Sequence, residues 1–304
     1  MRMKKVPHFR RIFGGLAAFL TAALMSTPAF AVLGQPVPGG LGLQAPGSPM
    51  KVRQDAFFNE LLLPVAVGIC IFVFVLLLII VVRFNAKANP VPSKTTHNTM
   101  LEVVWTLVPV LILTFISVPS IKLLFYLNNN PDTQMTLKAT GHQWFWSYSY
   151  PQNEGVHMVS LLVHDQDLKA GQPRLLTTTN PPVLPINTNI EIETASTDVI
   201  HSWSVPALGI KLDAVPGRIN KTWLRIDKVG TYYGQCSQLC GQGHAYMPIE
   251  IKAVTKADFV NWLHQHGGKT VAEIEADIAA AKAKTATHGA PPPAKEEHEK
   301  KHKK

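Results

Sequence analysis

The sequence predicts a two-helix transmembrane hairpin followed by an all-β domain, a Greek-key sandwich or barrel. Three observations carry this. Leu61–Val82 is an unbroken apolar run with no charged residue, and a second apolar run extends from Val103 to about Tyr126. From Met135 to Val254, short β-rich runs alternate with clusters of Gly, Pro, Asn and Asp. That texture belongs to many short strands joined by turns.

The chain begins with Arg2, Lys4, Lys5, Arg10 and Arg11, then an apolar stretch around Ile12–Leu24, then Ala29-Phe30-Ala31. Basic residues, a short apolar segment and small residues in an A-x-A pattern make a secretory signal. Residues 1–31 are therefore expected to be a signal peptide cleaved after Ala31; an uncleaved anchor is the alternative, but the stretch is short for a span. Residues 32–58 follow as an exported N-terminal segment and 59–127 as the hairpin, with spans at about 61–83 and 102–126.

At about 1.5 Å per residue, Leu61–Val82 crosses a hydrocarbon core of about 30 Å. Pro109 and Pro119 interrupt the second run, and membrane helices tolerate proline. Lys122 can extend its ammonium to the interface. The connecting loop carries Arg83, Lys87 and Lys94 and no acid, which places it in the cytoplasm. Both hairpin ends then face outward, as the signal peptide also requires. Cys70, inside the first span, reads as a packing residue.

Strands are expected at Met135–Thr140, Trp144–Tyr150, Met158–Val163, Asn189–Thr194, Lys221–Ile226 and Ile249–Val254, within a domain over 128–254. No helical pattern intervenes, which argues against a parallel α/β sheet. Residues 255–304 form an extension: a helix from Ala257, a break at Gly267-Gly268, a second helix over Val271–Lys284, and a Pro-, Lys- and Glu-rich tail that cannot bury a core. The formal net charge of +9 is concentrated at the termini. Between residues 131 and 260, eleven acids face ten bases, so no nucleic-acid partner is expected.

Cys236-Ser-Gln-Leu-Cys240-Gly-Gln-Gly-His244-Ala-Tyr-Met247 is a C-x3-C-x3-H-x2-M array. By cysteine count alone, an exported pair could form a disulfide. A disulfide needs no His or Met at fixed offsets, and a further imidazole, His201, lies at the end of a β-rich stretch. Thiolate, imidazole and thioether together select copper or other soft metals. A mononuclear blue-copper site uses one cysteine, which leaves one surplus here. Two thiolates on one loop can bridge two coppers, each with one His, and with Met and a backbone carbonyl as outer ligands. No position is left open for substrate, unlike a catalytic metal site, so the chemistry implied is electron relay.

Several ordered motifs now make the chain recognisable: Leu101-Glu102-Val-Val-Trp105-Thr106, Gly141-His142-Gln143-Trp144-Phe145-Trp146, Asp198-Val-Ile-His201-Ser-Trp203, Lys211-Leu-Asp213-Ala-Val-Pro-Gly217-Arg218 and the cysteine loop. With these the chain resembles subunit II of haem–copper cytochrome c oxidase, over nearly all the mature sequence. The resemblance implies a cupredoxin-like domain and a dinuclear copper centre, CuA. It assigns Cys236 and Cys240 as bridges, with His201, His244, Met247 and the Gln238 backbone carbonyl completing the shell. It makes Trp144 the residue through which electrons arrive from cytochrome c. It places Glu102 at the mouth of a proton channel, although Thr99-x-x-Glu102 also reads as a capping box. Asp213 and Arg218 match residues near the interface with subunit I. Subunits I and III, cytochrome c or a similar donor, and the membrane are the implied partners. The implied location is a bacterial inner membrane with the copper domain outside.

The chain departs from the family at Gln238, where Glu is usual and helps to bind magnesium. A neutral amide is a poorer ligand for a hard cation, so this chain's share of a magnesium site is doubtful. Threonines in Leu175–Asn180, and Ser149, stand where relatives tend to carry acids, while Asp198 remains; steering of a basic donor should be weaker. No C-x-x-C-H is present, so no fused c-type haem is expected. Other functions fit the sequence less well. A quinol oxidase subunit II lacks the copper ligands. A copper chaperone needs an exchangeable site. A structural membrane anchor would carry a disulfide, and nitrous oxide reductase needs a large further domain.

Overall fold

The computed structural model describes residues 32–153 and 156–268. The expected signal peptide, the helix expected over Val271–Lys284 and the tail lie outside the described residues.

The first helical segment consists of α1 (Pro49–Phe57), one π-helical turn (Phe58–Leu62) and α2 (Leu63–Arg83). It starts well before the apolar run because Ser48 caps it: the hydroxyl oxygen accepts from the Lys51 amide at 3.1 Å, and Pro49 opens the first turn. α3 spans Thr99–Asn128 and continues through Pro109 and Pro119. Both segments are long and apolar enough to cross a membrane.

The expected capping box is shifted by one residue. Asn98 is the N-cap, its Oδ1 accepting from the Leu101 amide at 3.1 Å, and Thr99 is already helical. Asn is at least as good a cap as Thr. Glu102 is thereby released from capping and pairs with His97 Nδ1 at 2.8 Å.

Ten strands follow: β1 Met135–His142, β2 Phe145–Ser149, β3 His157–Ser160, β4 Val183–Pro185, β5 Ile190–Ser196, β6 His201–Val205, β7 Ile210–Ala214, β8 Asn220–Leu224, β9 Gly230–Cys236 and β10 Pro248–Val254. Helix α4 covers Lys256–Gln265. Two five-stranded sheets form, ordered β3-β2-β1-β5-β8 and β4-β10-β9-β6-β7. Both are mixed: β1 pairs parallel with β5, and β10 with β4. In β5, Ile190 and Ile192 point inward while Glu191 and Glu193 face out and hold Lys221, the period-2 alternation of a half-buried strand. Leu137, Trp146 and Ile192 from one sheet meet Val205, Tyr232 and Ile251 from the other in a shared core. The buried Trp203 donates its indole N–H across that core to the Tyr148 hydroxyl at 3.2 Å.

The hairpin and sandwich are joined by specific bonds. The Ser48 hydroxyl donates to the Leu208 carbonyl at 2.6 Å, and Gln54 Nε2 to the Gly209 carbonyl at 2.8 Å. Gly209 is required there: its φ is +68°, and a Cβ would lie 2.7 Å from the Gln54 amide oxygen. Arg53 lies 3.7 Å from the Tyr126 ring centroid, and Tyr126 meets Trp223 edge-on at 5.8 Å.

Glu250 on β10 is buried, and burial raises its pKa although the Thr178 N–H and Lys252 work the other way. Its Oε2 accepts from the Thr178 amide at 2.6 Å, tying the 161–179 loop to the second sheet. Glu250→Ala leaves that amide unpaired and is expected to cost about 1–3 kcal/mol; Glu250→Gln keeps an acceptor and costs less. Urea denaturation of the three proteins checks the order.

Candidate metal centre

Sheet pairing assembles the site. β6 begins with His201 and β9 ends with Cys236; the two strands are neighbours, with Trp203 opposite Cys236. The loop from β9 to β10 carries Cys240 and His244, and Met247 immediately precedes β10. The approach depends on Gly141 of β1, where a Cβ would sit 2.7 Å from the His201 ring.

The six predicted ligands converge. Cys236 Sγ lies 3.9 Å from His201 Nδ1 and 3.3 Å from the Gln238 carbonyl oxygen. Cys240 Sγ lies 3.6 Å from His244 Nδ1 and 3.5 Å from Met247 Sδ. The two sulfurs are 3.9 Å apart, far beyond the roughly 2.05 Å of a disulfide. The disulfide alternative is therefore not the arrangement seen. The ligand atoms of His201, Cys236 and Cys240 fall within 4.8 Å of one another, and all three residues are buried.

Electrostatics favour a cation beside the two thiols. Burial opposes ionisation of Cys236, but the hydrogen bonds it receives, His201's foremost, outweigh this and lower its pKa. Burial and then the neighbouring Cys236 charge push the Cys240 thiol up. Two thiolates this close cannot both ionise unless a cation lies between them. A soft cation pair fits the donor set; magnesium or calcium does not.

Asp198 organises the surroundings. Its Oδ1 meets His201 Nε2 at 2.8 Å, so that Nδ1 faces the thiol, and its Oδ2 accepts from the Gln143 amide at 2.7 Å. Burial opposes its charge, but His201 and the amides of Val199 and Gln143 lower its pKa overall. A carboxylate behind a ligating imidazole is a recurring way to fix the ring. The D-x-x-H spacing was the available signal for this role. Asp198 is thus an exposed, ionised carboxylate that is also bonded to the buried His201 ring.

Trp144 precedes β2 and is 37% exposed. Its indole N–H donates to the Cys240 carbonyl at 3.1 Å, and Gln143 Nε2 donates to the same oxygen at 3.0 Å. The ring lies against the loop because Gly243 has no side chain: a Cβ there would be 2.4 Å from the indole. Trp146 and Trp203 are fully buried core residues. Glu102 lies at the opposite end of α3 from the sandwich, remote from this cluster. In the Leu175–Asn180 segment Thr177 and Thr178 are buried, while Thr179 and Asn180 are exposed.

Asp198→Asn is expected to weaken copper binding by about 10–100-fold, measured by competition with a chelator. Gly243→Val is expected to displace the indole, read as a change in tryptophan emission, with the metal ligands retained.

Comparison with known proteins agrees with this geometry. Residues 135–254 match the family model for the periplasmic domain of cytochrome c oxidase subunit II, and residues 36–123 match that for its transmembrane domain. The probable cytochrome c oxidase subunit 2 of Rickettsia felis is 41% identical over 259 residues, covering 85% of this chain and 81% of that protein. Cytochrome c oxidase subunit 2 of Cereibacter sphaeroides is 40% identical over 274 residues, 84% of this chain and 89% of its own. The crystal structure of the periplasmic domain of subunit II (CoxB) of Bradyrhizobium japonicum is 45% identical, with a TM-score of 0.42, covering 45% of this chain and 96% of that one. A two-helix hairpin, a cupredoxin-like copper-binding domain, the two family-model matches and the relatives from Rickettsia felis and Cereibacter sphaeroides lead to one conclusion: the chain belongs to the cytochrome c oxidase subunit II family.

Proposed function

We propose that the chain is the electron-accepting subunit of a terminal oxidase, with a dinuclear copper centre held by His201, Cys236, the Gln238 carbonyl, Cys240, His244 and Met247. The observation that carries this is the pair of buried, unbonded thiols, each facing one imidazole. Bound there, a dinuclear copper centre would supply rapid one-electron transfer, and Cys236 and Cys240 would hold it from one loop. Trp144 is exposed on one side and bonded to the Cys240 carbonyl on the other, so electrons from cytochrome c or a similar donor reach the ligand loop through its indole. Asp198 keeps His201 in one tautomer and orientation. Electrons continue to the haem–copper subunit I, where oxygen is reduced to water with proton pumping; subunits I and III complete the assembly.

The loop of 84–98 carries Lys87 and Lys94 and no acid, which supports a cytoplasmic loop and a copper domain on the outer face of a bacterial inner membrane. Glu102 then lies on the cytoplasmic side, where it takes up protons for subunit I. The Gln238 side chain is exposed and, as an amide, contributes little to magnesium. Intact copper ligands favour this reading over a quinol oxidase subunit.

Electron paramagnetic resonance of the copper-loaded full chain tests the proposal. Hyperfine splitting from one electron shared over two copper nuclei is expected; a four-line single-copper spectrum rejects it. Trp144→Leu should keep that spectrum and slow reduction by the donor.

A further inference from the structure

The loop between β3 and β4 is zipped to itself. Leu162 bridges Thr178 antiparallel, the Val163 amide donates to the Thr177 carbonyl at 3.0 Å, and the Thr179 amide donates to the Leu161 carbonyl at 2.9 Å. Toward the tip, Arg174 pairs with Asp165 at 2.7 Å. The result is a flap over 161–179 that walls one side of a groove beside Trp144 and Tyr246. It is seated on two residues that face each other across β9 and β10, since Tyr233 and Glu250 are register partners. Glu250 Oε2 accepts from the Thr178 amide at 2.6 Å, and Tyr233 shares a side-chain hydrogen bond with Thr177. All four of these residues are buried.

Seating the flap takes Glu250 out of water. Burial raises its pKa more than the Thr178 amide and Lys252 lower it. The ionisable groups around it are Lys252, exposed on its own strand, Tyr233 on β9 and Tyr148 on β2, whose phenols both feel the Glu250 charge. The flap itself presents Thr177 and Thr178, which carry none. As a neutral acid, Glu250 keeps a carbonyl oxygen for the Thr178 amide. With the flap lifted, the carboxyl meets water and returns toward its ordinary pKa. Proton uptake and seating therefore favour each other. We propose that Glu250 is a proton-operated latch, which seats the 161–179 flap beside Trp144 when protonated and loosens it when ionised. Latch stability is full below the ordinary carboxylate range and is lost as pH rises through the raised value. An acid outer phase then holds the groove wall firm, and an alkaline one frees it. The consequence for electron entry rests on the electron-relay reading above; the latch itself does not.

Amide hydrogen exchange of the copper-loaded full chain, read by mass spectrometry and corrected for the intrinsic rate, tests the latch. Protection of the 161–179 amides should fall at least about threefold between about pH 5 and about pH 9, while β1 and β5 keep theirs. Glu250→Gln is neutral at every pH and still an acceptor, and it should abolish that fall. Glu250→Ala should lose flap protection at every pH, with β1 and β5 reporting that the sandwich is folded. Wild-type protection that ignores pH, or an equal fall in Glu250→Gln, overturns the latch. In the assembled oxidase, the rate constant for reduction by a c-type cytochrome is compared as the ratio of Glu250→Gln to wild type. That ratio should rise from about one at about pH 5 to at least about twofold at about pH 9; a ratio that does not move with pH overturns the effect on electron entry. Failure of the electron-relay reading shows separately, as a single-copper spectrum, and leaves the exchange result as it is.

Discussion

Two buried thiols 3.9 Å apart and not bonded to each other are the constraint around which the rest of the sandwich is arranged. A pair like this is unstable as two anions with no cation beside them. It makes sense as a cradle for soft cations. The β6–β9 pairing brings His201 to one thiol, the short turn before β10 brings His244 and Met247 to the other, and glycines at 141 and 243 keep His201 and Trp144 close to their neighbours. Function here is a matter of holding ligands still, and a sandwich with its loops fixed at one end provides that rigidity.

Asp198 and the Cys240 carbonyl link the metal loop to the outside. The carboxylate joins the ring of His201 to the amide of Gln143, and the carbonyl collects the indole N–H of Trp144 and the amide of Gln143. Residues far apart in sequence thus form one hydrogen-bonded unit from exposed indole to buried sulfur. Below it, Ser48, Gln54 and the Arg53–Tyr126–Trp223 stack fix the sandwich on the hairpin, so the site is held relative to the membrane as well as within its own domain.

Much of this was legible in the sequence, for physical reasons that differ by element. The two spans announce themselves by composition. Strands β1, β2, β3, β5, β8 and β10 show β-rich runs bounded by turn residues. β6 and β7 were hidden because β6 is buried at almost every position and so shows no alternation, and the Pro206–Gly209 turn breaks the run. β9 contains Gly230 and Gly234, and β4 is three residues beside Pro181 and Pro182, so both read as loops. The parallel pairings of β1 with β5 and β10 with β4 have no local signature at all. At the site the ligands and the D-x-x-H pair of Asp198 and His201 were visible as spacing, but the bonds of Gln143 and Trp144 to the Cys240 carbonyl became visible only through contacts across the fold. The capping shift from Thr99 to Asn98 shows the same limit at a single residue: two good caps stood side by side, and backbone geometry chose between them.

The most direct test of the central claim is X-ray absorption at the copper edge of the loaded full chain. A copper–copper scattering vector accompanied by sulfur and nitrogen neighbours, with two coppers per chain, is the predicted result. One copper per chain with no metal neighbour, or cysteines recovered as a disulfide under copper loading, contradicts it.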